Sequence, residues 1–426
     1  MAQLFSETQL QACSFSDHLG VTTKLKVRVD VPRGRGLWKM NCSTLEVSDV
    51  KESIQEILEY VRQQALSERC TDKYAIWEEA KSMIQAVSIF HSRKWASSRR
   101  RRETFLEKEL GRLNTSYMDG SMKSSNWIQQ QHFIKEELKM LIQSKLEGYR
   151  TRGKVKWLEE GERPSRYFHH LIKARQTQSA MVRVKCADGS IVSDTNGILH
   201  EARSFYQDLY GKGDVEEVHQ DEILQHVQNS LSLSQQEELD SPISPLEVLS
   251  VIQDSSYHSS PGKDGILYEF YKAFREEIAP VLVQIYNELL QGKTFKSSAL
   301  ESVVILIFKK KGNEEELKNW HPISLLNCDL KILTKILAKR LQKHIALIVQ
   351  VDQSGFVSGH LIQDNCMILA QILERNRISP IAGGLYFLDQ EKAYDRVDWS
   401  YLMKCLGKFG FGPRWKHLIG AIYGKL

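Results

Sequence analysis

"FLDQEKAYDRVDW", residues 387–399, overlaps the end of the apolar run "GGLYFL" at 383–388. A carboxylate, Asp389, ends that run. A second, Asp395, follows it with Lys392 and Tyr394 between them. A short apolar run behind glycines reads as a buried strand, which puts Asp389 at a rigid strand tip. Such a carboxylate suits a hard cation such as Mg²⁺, which takes oxygen ligands from few protein groups and from substrate phosphates. Two such ions clamp an in-line phosphoryl displacement. The plainer alternative has Asp389 capping the next turn or pairing with Lys392.

The rest of the chain sets the context. It has 426 residues, 42% of them hydrophobic and 26% charged, as in a globular protein of two or three domains. Lys and Arg outnumber Asp and Glu by 58 to 53. The excess is small, but "SRKWASSRRRR" at 92–102 concentrates it. The seven cysteines are odd in number and none is spaced C-x-x-C, which argues against a disulfide framework, a disulfide-linked partner or structural zinc. A reducing compartment follows. No apolar run is long enough to span a membrane, so no membrane partner is expected.

Residues 1–47 read as strand and turn, with period-two alternation in "TKLKVRVDV". Residues 48–151 read as long amphipathic helices; the stretch 48–150 lacks proline. Ser48 is expected to cap the first helix, with apolar positions at 50, 54, 57, 58 and 61. From 152 the texture is mixed. "MVRVKCADGSIVSD" reads as a hairpin turning at Asp188 and Gly189. "SSPGKDGI" at 259–266 reads as a loop, and "SVVILIF" at 302–308 as an apolar strand ending in Lys309, Lys310 and Lys311. Cations fixed at a strand end suit a nucleoside triphosphate. They also suit a solvated edge that discourages strand addition.

Taken together, these blocks resemble the reverse transcriptases of non-LTR retrotransposons, the long interspersed elements. "FLDQEKAYDRVDW" resembles their first acidic motif. "SSPGKDGILYEFYK", "VVILIFKKKGNEEELKNWHPISLLNCDLKILTKILAKRL" and "QSGFVSGHLIQDN" are similar to the blocks before it, in family order. "VKWLEEGERPSRYFHHLIKAR" and "GSIVSDTNGILHEARSFYQDLY" resemble the upstream extension, and "SFSDHLGVTTKLKV" with "GRGLWKMN" the end of the preceding endonuclease. The resemblance implies an α+β chain. A short β remnant of an endonuclease (1–47) and a mainly helical linker (48–151) would precede the N-terminal extension (152–260). The fingers and the beginning of the palm of a right-hand polymerase (261–426) would follow.

It also implies roles. Asp389 would be a metal-binding palm aspartate, with Gln390 offering its backbone carbonyl to a second Mg²⁺. Tyr394 would crowd the sugar 2′ position and so select deoxynucleotides; packing against the helix at 398 is the plain alternative. Lys309 or Lys310 would touch the incoming triphosphate. Asp17 and His18 would close the nuclease site, and Asp395 would cap the helix at 398. Arg99, Arg100, Arg101 and Arg102 would contact nucleic acid, or else form a solvated helix face. The implied partners are an RNA template, a DNA primer and deoxynucleoside triphosphates, in a nuclear or cytoplasmic ribonucleoprotein.

Two departures matter. His321 and His360 stand where the family usually has arginine, which replaces a permanent bidentate phosphate donor with a neutral ring. No Asp-Asp pair occurs anywhere in the sequence, so the second metal-binding carboxylates of the family's palm are lacking, and the nuclease's earlier strands are absent. The expectation is a truncated copy, inactive alone as polymerase and as nuclease. A nucleic-acid-binding remnant is the alternative.

Overall fold

The computed structural model describes residues 5–12, 19–25, 36–67, 72–153, 181–211, 216–380 and 382–424, with backbone alone for 5–12, 19–25, 144–153 and 297. In chain order the first elements are β1 (Phe5–Ala12), β2 (Leu19–Leu25), α1 (Ser48–Leu66), α2 (Lys73–Met118) and α3 (Ser124–Gly153). Strands β3 (Val184–Lys185) and β4 (Ile191–Val192) follow, then α4 (Thr195–Tyr210), α5 (Glu217–Gln225), α6 (Leu233–Leu239) and α7 (Pro245–Gln253). Next come α8 (Tyr268–Ala273), α9 (Arg275–Leu290), α10 (Ser297–Leu300), β5 (Val303–Phe308) and β6 (Trp320–Leu325). The last are α11 (Cys328–Gln342), α12 (Ile345–Ile348), α13 (Ile362–Ile378), α14 (Trp399–Lys408) and α15 (Pro413–Ile422). The architecture is mainly helical with short antiparallel strand pairs, an α+β arrangement. Two compact units divide it: Met1–Gly36 with Ala86–Arg183, and Leu37–Gln85 with Val184–Leu426.

In the first unit β1 pairs antiparallel with β2, Leu10 opposite Val21. Helix α2 beyond Ala86 turns back as α3. Leu106, Leu110 and Leu138 are buried between them, with Ile134 and Leu141 packed alongside. At the turn the Trp127 ring stacks on Tyr117, centroids 4.4 Å apart. Its indole N–H donates to Asn114 Oδ1 at 3.3 Å. Arg102 forms a two-pronged ion pair with Glu137, at 2.6 and 2.7 Å.

The second unit is built on amphipathic helices. Val50, Ile54, Leu58 and Val61 of α1 are buried at helical spacing, and α1 packs on α9. Ser48 does not cap this helix. It is the first helical residue, and Val47 at the N-cap offers no side-chain acceptor. Helices α6 and α7 begin instead with full capping boxes, Ser232 with Gln235 and Ser244 with Glu247. Helix α7 packs on both α9 and α11. Arg340 of α11 locks that corner. Its buried guanidinium holds Glu247 at 2.7 and 2.9 Å and donates to the carbonyls of Leu239, Ser241 and Pro242.

The loop at 259–266 is held by close backbone approach. A Cβ on Gly262 would lie 2.3 Å from Asn327 Oδ1. Gly265 has φ +72°, and a Cβ there would lie 2.3 Å from the Trp38 carbonyl oxygen. The Met40 N–H donates to the Gly265 carbonyl at 3.0 Å. Only glycine fits both positions.

Candidate functional site

The site is anchored on a buried charge cluster. Lys81 of α2 donates to Asp329 of α11 at 2.7 Å, and the Trp77 indole donates to the same carboxylate at 2.9 Å. Asp264, on the 259–266 loop, lies 3.5 Å from Lys81. Three carboxylates, those of Asp329, Asp264 and the partly buried Glu78, thus share one ammonium. Burial pushes Asp329 upward, but Lys81, Trp77 and the Leu330 N–H overcome it and hold Asp329 low. Asp264 is pushed up to about 6 by burial and by the Asp329 charge. Asp329 therefore carries the charge and Asp264 takes up the first proton. This cluster pins the loop to α2 and α11.

After α8, α9 and α10 the chain forms the β5–β6 hairpin, which leads into α11 and Asp329. Ile307 faces His321 and Phe308 faces Trp320. The Lys309 N–H extends the ladder to the Asn319 carbonyl at 2.9 Å. Lys310 turns out at φ +56°, and Gly312 follows at φ +85°. Lys309, Lys310, Lys311 and His321 all point to solvent at one end of this ribbon. Val304, Ile305, Ile307 and Ile323 are also exposed, so the apolar strand is not the buried strand its composition suggests.

The run "GGLYFL" differs more sharply. It forms no strand among the described residues, and Tyr386, Phe387 and Leu388 are 80–92% exposed. Asp389 is therefore not at a strand tip. It stands exposed two residues before the turn 391–396. Gln390, Ala393, Arg396 and Tyr401 line an open groove beside it. Among the described residues no three His, Cys, Asp or Glu side chains gather to hold a metal. Asp389 alone does not fit a Mg²⁺ pair.

Tyr394 is 78% exposed and sets its ring edge-on to Phe356, centroids 5.9 Å apart, rather than packing on α14. Asp398, not Asp395, caps α14, accepting from the Tyr401 N–H at 2.8 Å. His360 Nδ1 lies 2.7 Å from the Gln353 carbonyl oxygen, inside its own loop. Asp17 and His18 lie outside the described residues, as does "VKWLEEGERPSRYFHHLIKA". In the first unit, Arg99 stacks over the Trp95 ring at 4.9 Å, and Arg100 and Arg101 are exposed.

Lys392 is displaced below the usual lysine range, chiefly by burial, and the Lys309 charge contributes to that fall. Residues 308–425 match the family described as reverse transcriptase (RNA-dependent DNA polymerase). The match begins at Phe308, where the lysine end of the hairpin begins, and covers the whole Asp389 turn. This chain carries a reverse transcriptase domain of the non-LTR retrotransposon kind. It is 26% identical over 97% of its length to the uncharacterized 149 kDa protein of transposon TX1 from Xenopus laevis, covering 31% of that protein. It is 27% identical to a probable RNA-directed DNA polymerase from transposon BS of Drosophila melanogaster, over 40% of this chain and 20% of the relative. The Pol polyprotein of the type-1 retrotransposable element R2 from Popillia japonica is 27% identical over 36% of the chain and 20% of the relative. The chain thus spans a third or less of these curated relatives.

Sequence reasoning missed two parts of the site. Lys81 and Trp77 sit one helical turn apart in what reads as a linker helix, and only the pairing of two polar-capable residues on a buried face would have marked them. The aromatic surface of α4, where Phe205 and Tyr206 receive Lys392 and Tyr210 stacks on Tyr206, is visible in the sequence only as spacing.

Proposed function

We propose that the second unit is the nucleotide-handling part of an RNA-templated DNA polymerase belonging to a longer retrotransposon protein. The carrying observation is that residues 308–425, which match the reverse transcriptase family, take in both the lysine end of the hairpin and the Asp389 turn. A triphosphate at the hairpin end would meet Lys309 and Lys310 with its phosphates and Tyr394 with its sugar. Charge-assisted contacts of this kind each contribute about 1.5–3 kcal/mol. Tyr394 would exclude a 2′-hydroxyl by contact, and the Gln390 carbonyl and Asp389 carboxylate would face the metal-bound phosphates. His321 would add a weaker contact than arginine. The metal chemistry of such an enzyme, in-line displacement between two divalent ions, needs more carboxylates than these residues gather.

Photo-crosslinking of radiolabelled dATP to the 426-residue chain tests this reading. Labelling at the hairpin or the Asp389 turn, reduced about tenfold by K309A/K310A, is the expected result. Labelling that ignores the double substitution would sink it.

A second reading concerns the first unit. Residues 89–105 of α2 bury no side chain, and 91–102 carry Arg93, Lys94 and Arg99 to Arg102 with no acid. A helix stretch that is cationic and unburied suits a polyanion, and Trp95 offers a ring for base stacking. Arg102 is already engaged by Glu137 and Arg99 lies over the Trp95 ring, so Arg100 and Arg101 would lead the RNA contact.

A further inference from the structure

Lys392 does a job that the nucleotide reading leaves unused. Its ammonium does not reach solvent. Nζ lies 4.6 Å from the centroid of the Phe205 ring and 5.6 Å from that of Tyr206. The nitrogen is buried and has no hydrogen-bond partner among the described residues. An ammonium placed so would be costly unless something replaces its water. The two ring faces do so, because their negative quadrupoles attract a cation. Asp395 and Glu391 reinforce it, while Lys309 and Arg396 oppose it.

The backbone of Lys392 is equally committed. It adopts φ +50°, uncommon for a residue with a Cβ. Its carbonyl accepts from the Asp395 and Arg396 N–H groups at 2.9 and 3.1 Å, which closes the turn. Side chain and backbone of one residue therefore join the turn to α4. The receiving surface is itself ordered by stacking: Tyr206 and Tyr210, one helical turn apart, lie 5.8 Å apart and 25° from parallel. The Phe205 ring meets Tyr206 edge-on at 5.2 Å.

We infer that Phe205 and Tyr206 form an aromatic clamp on Lys392, and that this clamp fixes the turn 391–396, which carries Tyr394 and directly follows Asp389 and Gln390. Lys392 is then a positioning residue, which touches no substrate. Helix α4 acquires a role in turn, because it carries the surface that aims the turn. The consequence for nucleotide selection rests on the polymerase reading; the clamp itself does not.

Hydrogen exchange of the 426-residue chain, read by mass spectrometry, tests the clamp. K392M keeps the apolar stem and removes the charge, while K392R keeps a cation for the rings. Exchange at Asp395 and Arg396 is expected to rise about tenfold in K392M and in F205L/Y206L. It should stay near the parent value in K392R, with α11 unchanged in all variants. Unchanged exchange in K392M, or K392R exchanging as fast as K392M, would overturn the clamp. Crosslinking of dATP and ATP separates this from the polymerase reading. If dATP labels no variant while exchange responds, the clamp stands and the polymerase reading falls. If dATP labels the chain, K392M is expected to lower the dATP-over-ATP preference at least threefold, and an unchanged preference overturns the positioning role.

Discussion

Lys81 Nζ donates to Asp329 Oδ2 across 2.7 Å, and each of these residues is only 3% exposed. They are 248 residues apart in the chain. The pair joins the start of α2 to the start of α11, and with Asp264 it fixes the 259–266 loop.

Breaking that pair should be expensive. K81M leaves the Asp329 carboxylate buried without its cation, a defect that costs about 3–5 kcal/mol. Urea unfolding should show the midpoint fall with an unchanged slope. K81M with D329N should recover part of the loss, because the uncompensated charge is gone.

Asp264 sets a pH window. Its folded pKa of about 6 lies above the ordinary value of 3.8, so the folded protein holds this proton more tightly than the unfolded chain. The contribution is fully present below pH 3.8 and is lost as pH rises through about 6. Asp329 runs the other way. Its folded pKa is lowered, so its contribution is present above pH 3.8 and is lost as pH falls through the lower folded value. D264N should therefore flatten the stability profile between about pH 4 and 6 and leave the acid limb in place. Unfolding midpoints across that range would read it, and a profile identical to the parent's would contradict the assignment.

Restoring a guanidinium at His321 should strengthen phosphate binding. The residue is exposed beside Ile307 on the ribbon that ends at Lys309, so an arginine meets no steric obstacle. One added charge-assisted contact is worth about 1.5 kcal/mol, or roughly tenfold. Competition of triphosphate against dATP crosslinking in H321R would measure it.

The arginine run gives a salt-dependent prediction. R99Q/R100Q/R101Q should weaken binding of a labelled single-stranded RNA. The slope of log affinity against log salt should shrink by about 0.7 for each phosphate that is no longer neutralised. Anisotropy titrations at several salt concentrations read both effects. An unchanged slope would assign this stretch to a solvated helix face.

Much of the helical framework is legible in the sequence, because α1, α2, α3 and α11 carry apolar residues at helical spacing over several turns. The DG turn between β3 and β4 is legible for the same local reason: Gly189 takes φ +86° and Asp188 accepts from the Ser190 N–H at 2.8 Å. "GGLYFL" reads as a buried strand and is not one, because composition says that a strand would be favourable but not whether another strand lies beside it. The cap of α14 lies three residues later than expected, since Asp395 and Asp398 offer the same chemistry and only backbone geometry separates them. The Lys81 cluster and the Lys392 clamp are invisible in the sequence for a deeper reason. Both join residues far apart in the chain, and neither partner carries a local pattern that names the other.

The exposed run before Asp389 has one more consequence. No backbone hydrogen bond among the described residues ties 383–390 to its surroundings, and Leu385 to Leu388 present large apolar side chains to solvent. A protease that reads aromatic and leucine side chains binds an extended chain of this kind. Brief chymotrypsin treatment should therefore cut first within 385–388, separating the Asp389 turn, with α14 and α15, from the hairpin that carries Lys309.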